Sequence, residues 1–169
     1  SDFAVMKKGS IMSVSSPRLV SMAIGEKVDL EELGGWRLHA DQTGLIDRFV
    51  DTDEEAMGEL KRFLSYMPSN NELLPPDYDP VEGAAQAQGE ILEILPERQA
   101  TVYDMRKIIE IVVDKNSFFE FKPRFGKAGT VGLARLNGKS VGIVANNPQF
   151  GGGALSQEAC RKIIDFQVM

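Results

Sequence analysis

The sequence is poor in the residues on which disulfide and metal chemistry depend, since its 169 residues include one cysteine, Cys160, and one histidine, His39. A single cysteine excludes an intramolecular disulfide and a cysteine-based zinc cluster, and a single histidine removes most histidine-based metal sites. No uncharged apolar run approaches the roughly 20 residues that a membrane-spanning helix needs. The first residues lead to Lys7 and Lys8 without a signal-peptide pattern. These absences favour a reduced, cytoplasmic protein without a membrane span or a metal.

What the sequence does contain is a globular composition with unevenly distributed charge. A length of 169 residues is enough for one domain or two small subdomains, and a hydrophobic fraction of 43% argues against disorder. Residues 1–50 carry 6 basic and 7 acidic groups, residues 51–100 carry 3 and 12, and residues 101–169 carry 10 and 6. The acidic centre argues against nucleic acid as a partner. The basic last third fits either an anionic ligand or scattered surface lysines.

Several short elements are predicted in the first 50 residues. Apolar patterning favours strands over residues 3–8, 11–14 and 36–40. Two short helices are predicted from capping residues, one starting at Ser16-Pro17 and ending at Gly25, and one running from Asp29 to Gly34-Gly35.

The strongest local signal is a capping box at Thr52 and Glu55. Acidic residues in the first turn and basic residues near the end match the helix dipole. The helix carries an apolar stripe of Ala56, Leu60, Phe63, Leu64 and Met67. Pro68 ends it, and the proline-rich and Ala/Gln/Gly-rich residues that follow are typical of a linker, with structure resuming near residues 91–95.

The second half opens with a predicted helix from Thr101 to near Lys115-Asn116, followed by a short aromatic strand or turn at residues 118–121. Two β-rich runs, 130–136 and 139–145, are separated by Asn137-Gly138, which is a strong signal for a type I′ hairpin. A glycine loop follows, and Ser156 is expected to cap a final helix whose apolar stripe is Ile163, Ile164 and Val168.

No catalytic constellation follows from spacing alone. Gly151, Gly152 and Gly153 ahead of a helix fit a phosphate or oxyanion cradle, but a plain flexible turn is the favoured interpretation, because the P-loop and dinucleotide patterns are absent. His39 is interpreted as a structural histidine on a strand and Cys160 as a core thiol. Asp77, Asp79 and Glu82 suggest a cation site, although the EF-hand pattern is missing.

An ordered series of motifs is more informative. It consists of ELGG at 32–35 with His39 and Thr43-Gly44, DEEA at 53–56, FLSYMP at 63–68, YDMR at 103–106, SFFE at 117–120, VGLARLNG at 131–138 and VGIVANNP at 141–148. Together these motifs resemble the carboxyltransferase (β) subunit of biotin-dependent acyl-CoA carboxylases of the propionyl-, acetyl- and methylcrotonyl-CoA type. The resemblance spans nearly the whole chain.

This resemblance implies an incomplete α/β architecture of the ClpP/crotonase type. Residues 1–68 correspond to the end of the N-terminal carboxyltransferase domain, 69–96 to the interdomain linker, and 97–169 to the start of the C-terminal domain. In the family the active site lies at a dimer interface, so a homo-oligomer is expected. We also expect apolar faces such as that of the terminal helix to promote self-association.

The resemblance also implies a reaction and its participants. A carboxyl group moves from carboxybiotin to the α-carbon of an acyl-CoA, through enolates stabilised by two backbone oxyanion holes and without a metal. Biotin is carried on a partner, so the biotin carboxyl carrier and biotin carboxylase components are the implied partners, with acyl-CoA as substrate. The resemblance places the glycine-rich elements of both holes outside the 169 residues, so no catalytic residue is assigned and the isolated segment is expected to be inactive.

The remaining site assignment concerns the loop after the hairpin. The resemblance places Asn146, Asn147, Pro148, Gly151, Gly152 and Gly153 near the biotin-facing side of the second domain, while a simple hairpin exit stays open as the alternative. Two other functions also stay open, namely a biotin-dependent acyl-CoA decarboxylase and a non-catalytic module for oligomerisation or acyl-CoA binding.

Overall fold

The computed structural model describes residues 2–79, 88–96 and 101–169. Along these ranges the chain forms β1 Val5–Lys7, α1 Pro17–Ile24, α2 Leu30–Gly34, a π-helix Leu38–Thr43, β2 Arg48–Val50, α3 Asp53–Leu64, α4 Gln88–Ile94, α5 Met105–Val112, β3 Phe119–Phe121, β4 Gly129–Leu136, β5 Lys139–Asn146, a 3₁₀ turn Gly151–Gly153 and α6 Gln157–Gln167. The chain divides into two compact units, Ser1–Leu60 with Lys122–Phe125, and Lys61–Phe121 with Gly126–Met169. Each unit combines helices and strands, which confirms the α/β class.

In the first unit β1 and β2 pair in parallel, with Met6 opposite Phe49. The core around this pair consists of Met6, Trp36, Ala40 and Ile46, and the Trp36 ring stacks on Phe49 with centroids 4.8 Å apart. Helix α1 lies outside this core, since none of its residues is buried. The core therefore depends on one aromatic pair and a few aliphatic side chains.

Capping residues set the helix starts of this unit as predicted. The Ser16 hydroxyl accepts a hydrogen bond from the Leu19 amide at 3.3 Å, and Gly25 ends α1 with a φ of 76°. In α3 the capping box is formed in both directions, with Glu55 N–H donating to Thr52 Oγ1 at 3.1 Å and Thr52 N–H donating to Glu55 Oε2 at 3.2 Å. Each side chain thus satisfies an amide that the helix leaves without a partner.

Two strand predictions in this unit are wrong. Residues 36–40 enter the π-helix instead, because Trp36 and Ala40 are four residues apart and both are buried, as on one face of a helix. Five residues are too few to separate this spacing from strand alternation. Residues 11–14 contribute only an isolated bridge from Ile11 to Gly35. Side chains such as Val14 are exposed, so the segment has no buried side on which a strand could pack.

The second unit is built on an antiparallel sheet of order β3-β4-β5. Its hairpin turn is confirmed, because Asn137 and Gly138 have φ values of 52° and 78°. The Asp114 carboxylate accepts hydrogen bonds from both turn amides, at 2.9 and 2.7 Å. The sequence pattern identified the turn, whereas the side chain that anchors it comes from 23 residues earlier.

Helices cover both faces of this sheet. α5 packs Ile109 and Val113 against Ala134 of β4, and α6 lies over Gly129 of the same strand. Because these two strand positions differ by an odd number of residues, α5 and α6 occupy opposite faces. The α5 start differs from the prediction: Asp104 rather than Thr101 is the N-cap, accepting from the Arg106 amide at 3.1 Å.

The start of the predicted linker packs against the hairpin. The Tyr78 amide donates to Gly138 O at 3.1 Å, and a side chain at Gly138 would overlap the Tyr78 backbone. The Arg135 guanidinium lies between the Tyr66 and Tyr78 rings, 4.3 and 3.9 Å from their centroids. Pro80, Glu82 and the Ala/Gln/Gly run lie outside the described residues, except for the part that begins α4. The domain limits at residues 68 and 96 stay a prediction.

The last helix begins as predicted, with the Ser156 hydroxyl accepting from the Ala159 amide at 3.3 Å. Ala159 and Lys162 face the protein, whereas Ile164 and Val168 of the predicted apolar stripe are exposed, as expected for an apolar face that remains at the surface. Cys160 is exposed and is not a core thiol.

In the described part of the chain, no helix has the length and apolar character needed to cross a membrane.

Candidate functional site

The candidate site is the loop that connects β5 to α6, residues 146–156, which we call the exit loop. Gly151, Gly152 and Gly153 have φ values of 59°, 65° and 83°, a left-handed conformation that glycine adopts without strain. The Phe150 amide donates to Asn147 O at 3.1 Å, and the Gly153 amide donates to Phe150 O at 3.0 Å. The loop therefore consists of two successive tight turns. Since the Gly153 and Ala154 amides both donate within the second turn, this geometry favours the turn interpretation over an anion cradle.

The surroundings of Gly151 and Gly152 differ from those of Gly153. At Gly151 and Gly152 a side chain would meet nothing within 4 Å, so these residues leave exposed backbone at the surface. At Gly153 a Cβ would come within 2.6 Å of Asn146 Nδ2. That amide donates to Gly153 O at 3.3 Å and closes the loop on itself.

Asn147 anchors the exit loop from inside the second unit. Its side chain is fully buried, and Nδ2 donates to Asp104 Oδ1 at 2.8 Å. Oδ1 accepts from the amides of Met105 and Gln149, both at 3.2 Å. The partners fix the orientation of the amide, because two donors surround the oxygen and a carboxylate faces the nitrogen.

A chain of buried and half-buried charges continues from Asp104. Arg106 forms a bidentate pair with Glu120, through Nε to Oε2 at 2.8 Å and Nη2 to Oε1 at 2.9 Å. Lys162, whose side chain is fully buried, places Nζ 4.0 Å from Glu120 Oε1. We call Asp104, Arg106, Glu120 and Lys162 the charge chain. Burial alone lowers the pKa of Arg106, but the hydrogen bonds and charge of Glu120, with the charge of Asp104, raise it above its ordinary value.

A shallow cavity of about 350 Å³ lies beside the exit loop, lined among others by Lys127, Ala128, Phe150, Gly151, Ser156 and Glu158. Two cations flank the Phe150 ring, with Lys127 Nζ 5.8 Å and Arg106 Cζ 6.0 Å from its centroid. The hydroxyl of Ser156 hydrogen-bonds to the exposed Glu158 carboxylate and lowers its pKa. The cavity thus combines an aromatic face, exposed glycine backbone and charged side chains at its rim.

Other residues singled out in the sequence lie elsewhere. His39 is buried, with Nε2 2.7 Å from Met12 O and Nδ1 3.1 Å from Thr43 Oγ1. These bonds confirm a structural histidine, although it lies on the π-helix and not on a strand. Asp77 lies 3.6 Å from Lys139, and Glu82 is outside the described residues. The described residues contain no group of three histidine, cysteine or acidic side chains that could hold a metal ion.

Sequence reasoning did not find the charge chain. Asp104, Arg106 and Glu120 stood out only as parts of motifs, and Lys162 was not singled out. One signal was available: Lys162 occupies the same helical face as Ala159, three residues earlier, and Phe166, four residues later. A lysine within an apolar stripe indicates either a snorkelling side chain or a buried ion pair, and here it forms the buried pair.

Comparison with known proteins gives consistent matches along the chain. The family model described as the carboxyl transferase domain matches residues 1–167. An uncharacterized carboxylase, YngE, of Bacillus subtilis is 39% identical over 98% of the chain. The carboxyltransferase subunit of propionyl-CoA carboxylase from Haloferax mediterranei is 36% identical over 95% of the chain.

A solved structure of transcarboxylase 12S, a hexamer with methylmalonyl-coenzyme A and methylmalonic acid bound, superposes with a TM-score of 0.92. The two sequences are 32% identical, and the match covers 98% of this chain and 32% of the other. The chain likewise spans about a third of the length of the curated relatives, 32% for the Bacillus protein and 31% for the Haloferax protein.

Proposed function

Because the chain belongs to the carboxyl transferase domain family and has a crotonase-like carboxyltransferase fold, we propose that it forms part of the carboxyltransferase of a biotin-dependent acyl-CoA carboxylase. The enzyme moves a carboxyl group from carboxybiotin to the α-carbon of an acyl-CoA. The observation that carries this proposal is the continuous match over residues 1–167, joined to a superposition at a TM-score of 0.92. The names of two relatives, with propionyl-CoA and methylmalonyl-coenzyme A, favour a short-chain acyl-CoA as substrate.

The domain organisation is part of the same proposal. Residues 1–68 belong to the end of one carboxyltransferase domain and residues 97–169 to the start of a second, with 69–96 connecting them. The antiparallel hairpin of β4 and β5, covered by a helix on each face, suits the opening layer of the second domain. A homo-oligomer, a biotin carrier and a biotin carboxylase complete the proposed assembly, and the cytoplasm is its proposed location.

We further propose that the exit loop, with Asn146, Asn147, Pro148 and Gly151–Gly153, borders the carboxybiotin. Carboxybiotin presents a flat ureido ring and an anionic carboxylate, and it supplies the carboxyl group when the carrier delivers it. The exposed backbone at Gly151 and Gly152 leaves room for close approach, and the Phe150 face with Lys127 at the cavity rim suits a flat anion. In this proposal the chain binds and orients the biotin side, while the oxyanion holes come from other parts of the polypeptide.

Transfer of a labelled carboxyl group tests the proposal. We expect the complete carboxyltransferase polypeptide to move ¹⁴C from carboxybiotin on its carrier to propionyl-CoA or another short acyl-CoA. The 169-residue chain alone is expected to show no transfer, because relatives are about three times as long as the matched region. Carrier without biotin is the control.

Two outcomes separate this function from its alternatives. Binding of acyl-CoA by the complete polypeptide without any biotin-dependent transfer would identify a non-catalytic module and refute the proposal. Transfer that runs only from a carboxylated acyl-CoA to biotin, with release of CO₂ by a partner, would identify a decarboxylase of the same family.

A further inference from the structure

Asn147 is the buried residue that fixes the exit loop to the second unit. Its amide nitrogen, amide oxygen, backbone N–H and backbone carbonyl all have partners within the second unit. The backbone N–H donates to Ala128 O at 2.7 Å, which fixes the loop to the residue just before β4. A fully buried side chain with these partners does not contact a ligand at the surface.

Hydrogen bonds connect Asn147 to the two exposed parts of the loop, Phe150 and the glycine turn. Its carbonyl accepts the Phe150 amide at 3.1 Å, and the Phe150 carbonyl accepts the Gly153 amide at 3.0 Å. A shift of Asn147 therefore moves both the aromatic ring and the glycine turn. Because glycines have the widest choice of backbone conformations, the turn depends on such external fixation.

We propose that Asn147 is a positioning residue and that its bond to Asp104 sets the geometry of the biotin-facing surface. The inference rests on the proposed function of the exit loop. Asp104 is the N-cap of α5 and lies 3.7 Å from Arg106 Nη1, so it is held from two directions. The charge chain connects it to Glu120 on β3 and to Lys162 on α6. The loop is thereby tied to a rigid part of the second unit.

The polarity of the Asp104–Asn147 bond provides a sharp test. In Asn147→Asp the side chain keeps an oxygen for the Met105 and Gln149 amides but opposes the Asp104 carboxylate with a second carboxylate, so repulsion replaces the bond. In the double variant Asn147→Asp with Asp104→Asn, a rotated amide at position 104 donates to the new carboxylate and restores the bond in the opposite direction. The same rotation takes the capping oxygen away from the Arg106 amide, so Asp104→Asn alone is measured to account for the loss of that cap. Asn116→Asp, at an exposed position of the same unit, is the matched control.

Two quantities are measured on the complete carboxyltransferase polypeptide. In Asn147→Asp we expect about tenfold faster hydrogen exchange in peptides covering residues 149–154 and about a tenfold higher KM for the biotinylated carrier, with the KM for acyl-CoA unchanged. The double variant is expected to return both values to within about threefold of wild type, as double-mutant coupling requires. The control is expected to match wild type in both.

The outcomes test the positioning role of Asn147 separately from the proposed carboxyltransferase function. Unchanged exchange in Asn147→Asp, or a folded double variant whose exchange and KM stay raised, overturns the positioning role. If Asn147→Asp does not fold, the double variant alone decides, because it carries the same carboxylate. Absence of transfer by the wild-type polypeptide refutes the proposed function, whereas the exchange data still report on the loop.

Discussion

Replacing Glu120 by glutamine is expected to lower the free energy of unfolding by about 3–5 kcal/mol, which is typical of removing one partner from a buried ion pair. Glu120 is the one acidic residue of the charge chain that faces both cations, with Arg106 at 2.8 Å and Lys162 at 4.0 Å. A neutral amide removes the carboxylate that pairs with Arg106 and lies beside Lys162, in a site from which water is largely excluded. Urea unfolding followed by far-UV circular dichroism measures the change.

A matched control tests whether the loss of stability depends on the burial of the ion pair or only on the loss of one charge. Asp77→Asn removes the counter-charge of Lys139 in the same unit, but both side chains of that pair are about 70% exposed. We expect a change below about 1 kcal/mol there, because solvent screens exposed pairs. Equal losses in the two variants would contradict the assignment of Glu120 as the centre of a buried charge cluster. Adding Lys162→Met to Glu120→Gln is expected to recover part of the loss.

Replacing Phe119 by alanine is expected to cost about 3–5 kcal/mol, the usual range for truncating a buried aromatic residue to alanine. Phe119 is 1% exposed, and its ring lies 5.5 Å from Phe121 in an edge-on arrangement and 6.2 Å from Tyr66. The Arg62 guanidinium lies 5.2 Å from the same ring, while Arg62 Nη2 donates to Phe118 O at 2.8 Å. Truncation leaves a cavity and removes the aromatic partner of this cation.

Phe119→Leu serves as the control for this variant. It keeps most of the apolar volume and loses the ring contacts, so we expect a cost below about 1.5 kcal/mol. The same urea titration measures both variants. If leucine costs as much as alanine, the stability at this position comes from specific ring geometry and not from filled volume.

Local structure was predictable from the sequence where a side chain or a glycine acts on the backbone of its immediate neighbours, as at helix caps and tight turns. Thr52 with Glu55, Ser156, and Asn137 with Gly138 specify their caps and turn through neighbouring backbone groups, so short-range patterns suffice. The strands predicted at residues 11–14 and 36–40 failed because their patterns were short and their burial depended on distant partners. The π-helix has no local signature that distinguishes it from an ordinary helical turn.

The candidate site was predictable only in part. The motif resemblance pointed to Asn146, Asn147 and the glycines, but the pattern does not distinguish an exposed asparagine from a buried one. What buries Asn147 and not its neighbour Asn146 includes its contacts with Asp104 and Met105, which lie more than 40 residues away in sequence. The charge chain likewise joins β3, α5 and α6, so only the tertiary structure brings it together.

Hydrogen exchange of the complete carboxyltransferase polypeptide, with and without its biotinylated carrier, tests the central claim most directly. Carrier lacking biotin is the reference, so that contacts of the carrier protein itself cancel. We predict slower exchange in peptides covering residues 149–154, with α3 unchanged. Protection that depends on biotin but spares the exit loop would contradict the claim that this loop borders the carboxybiotin.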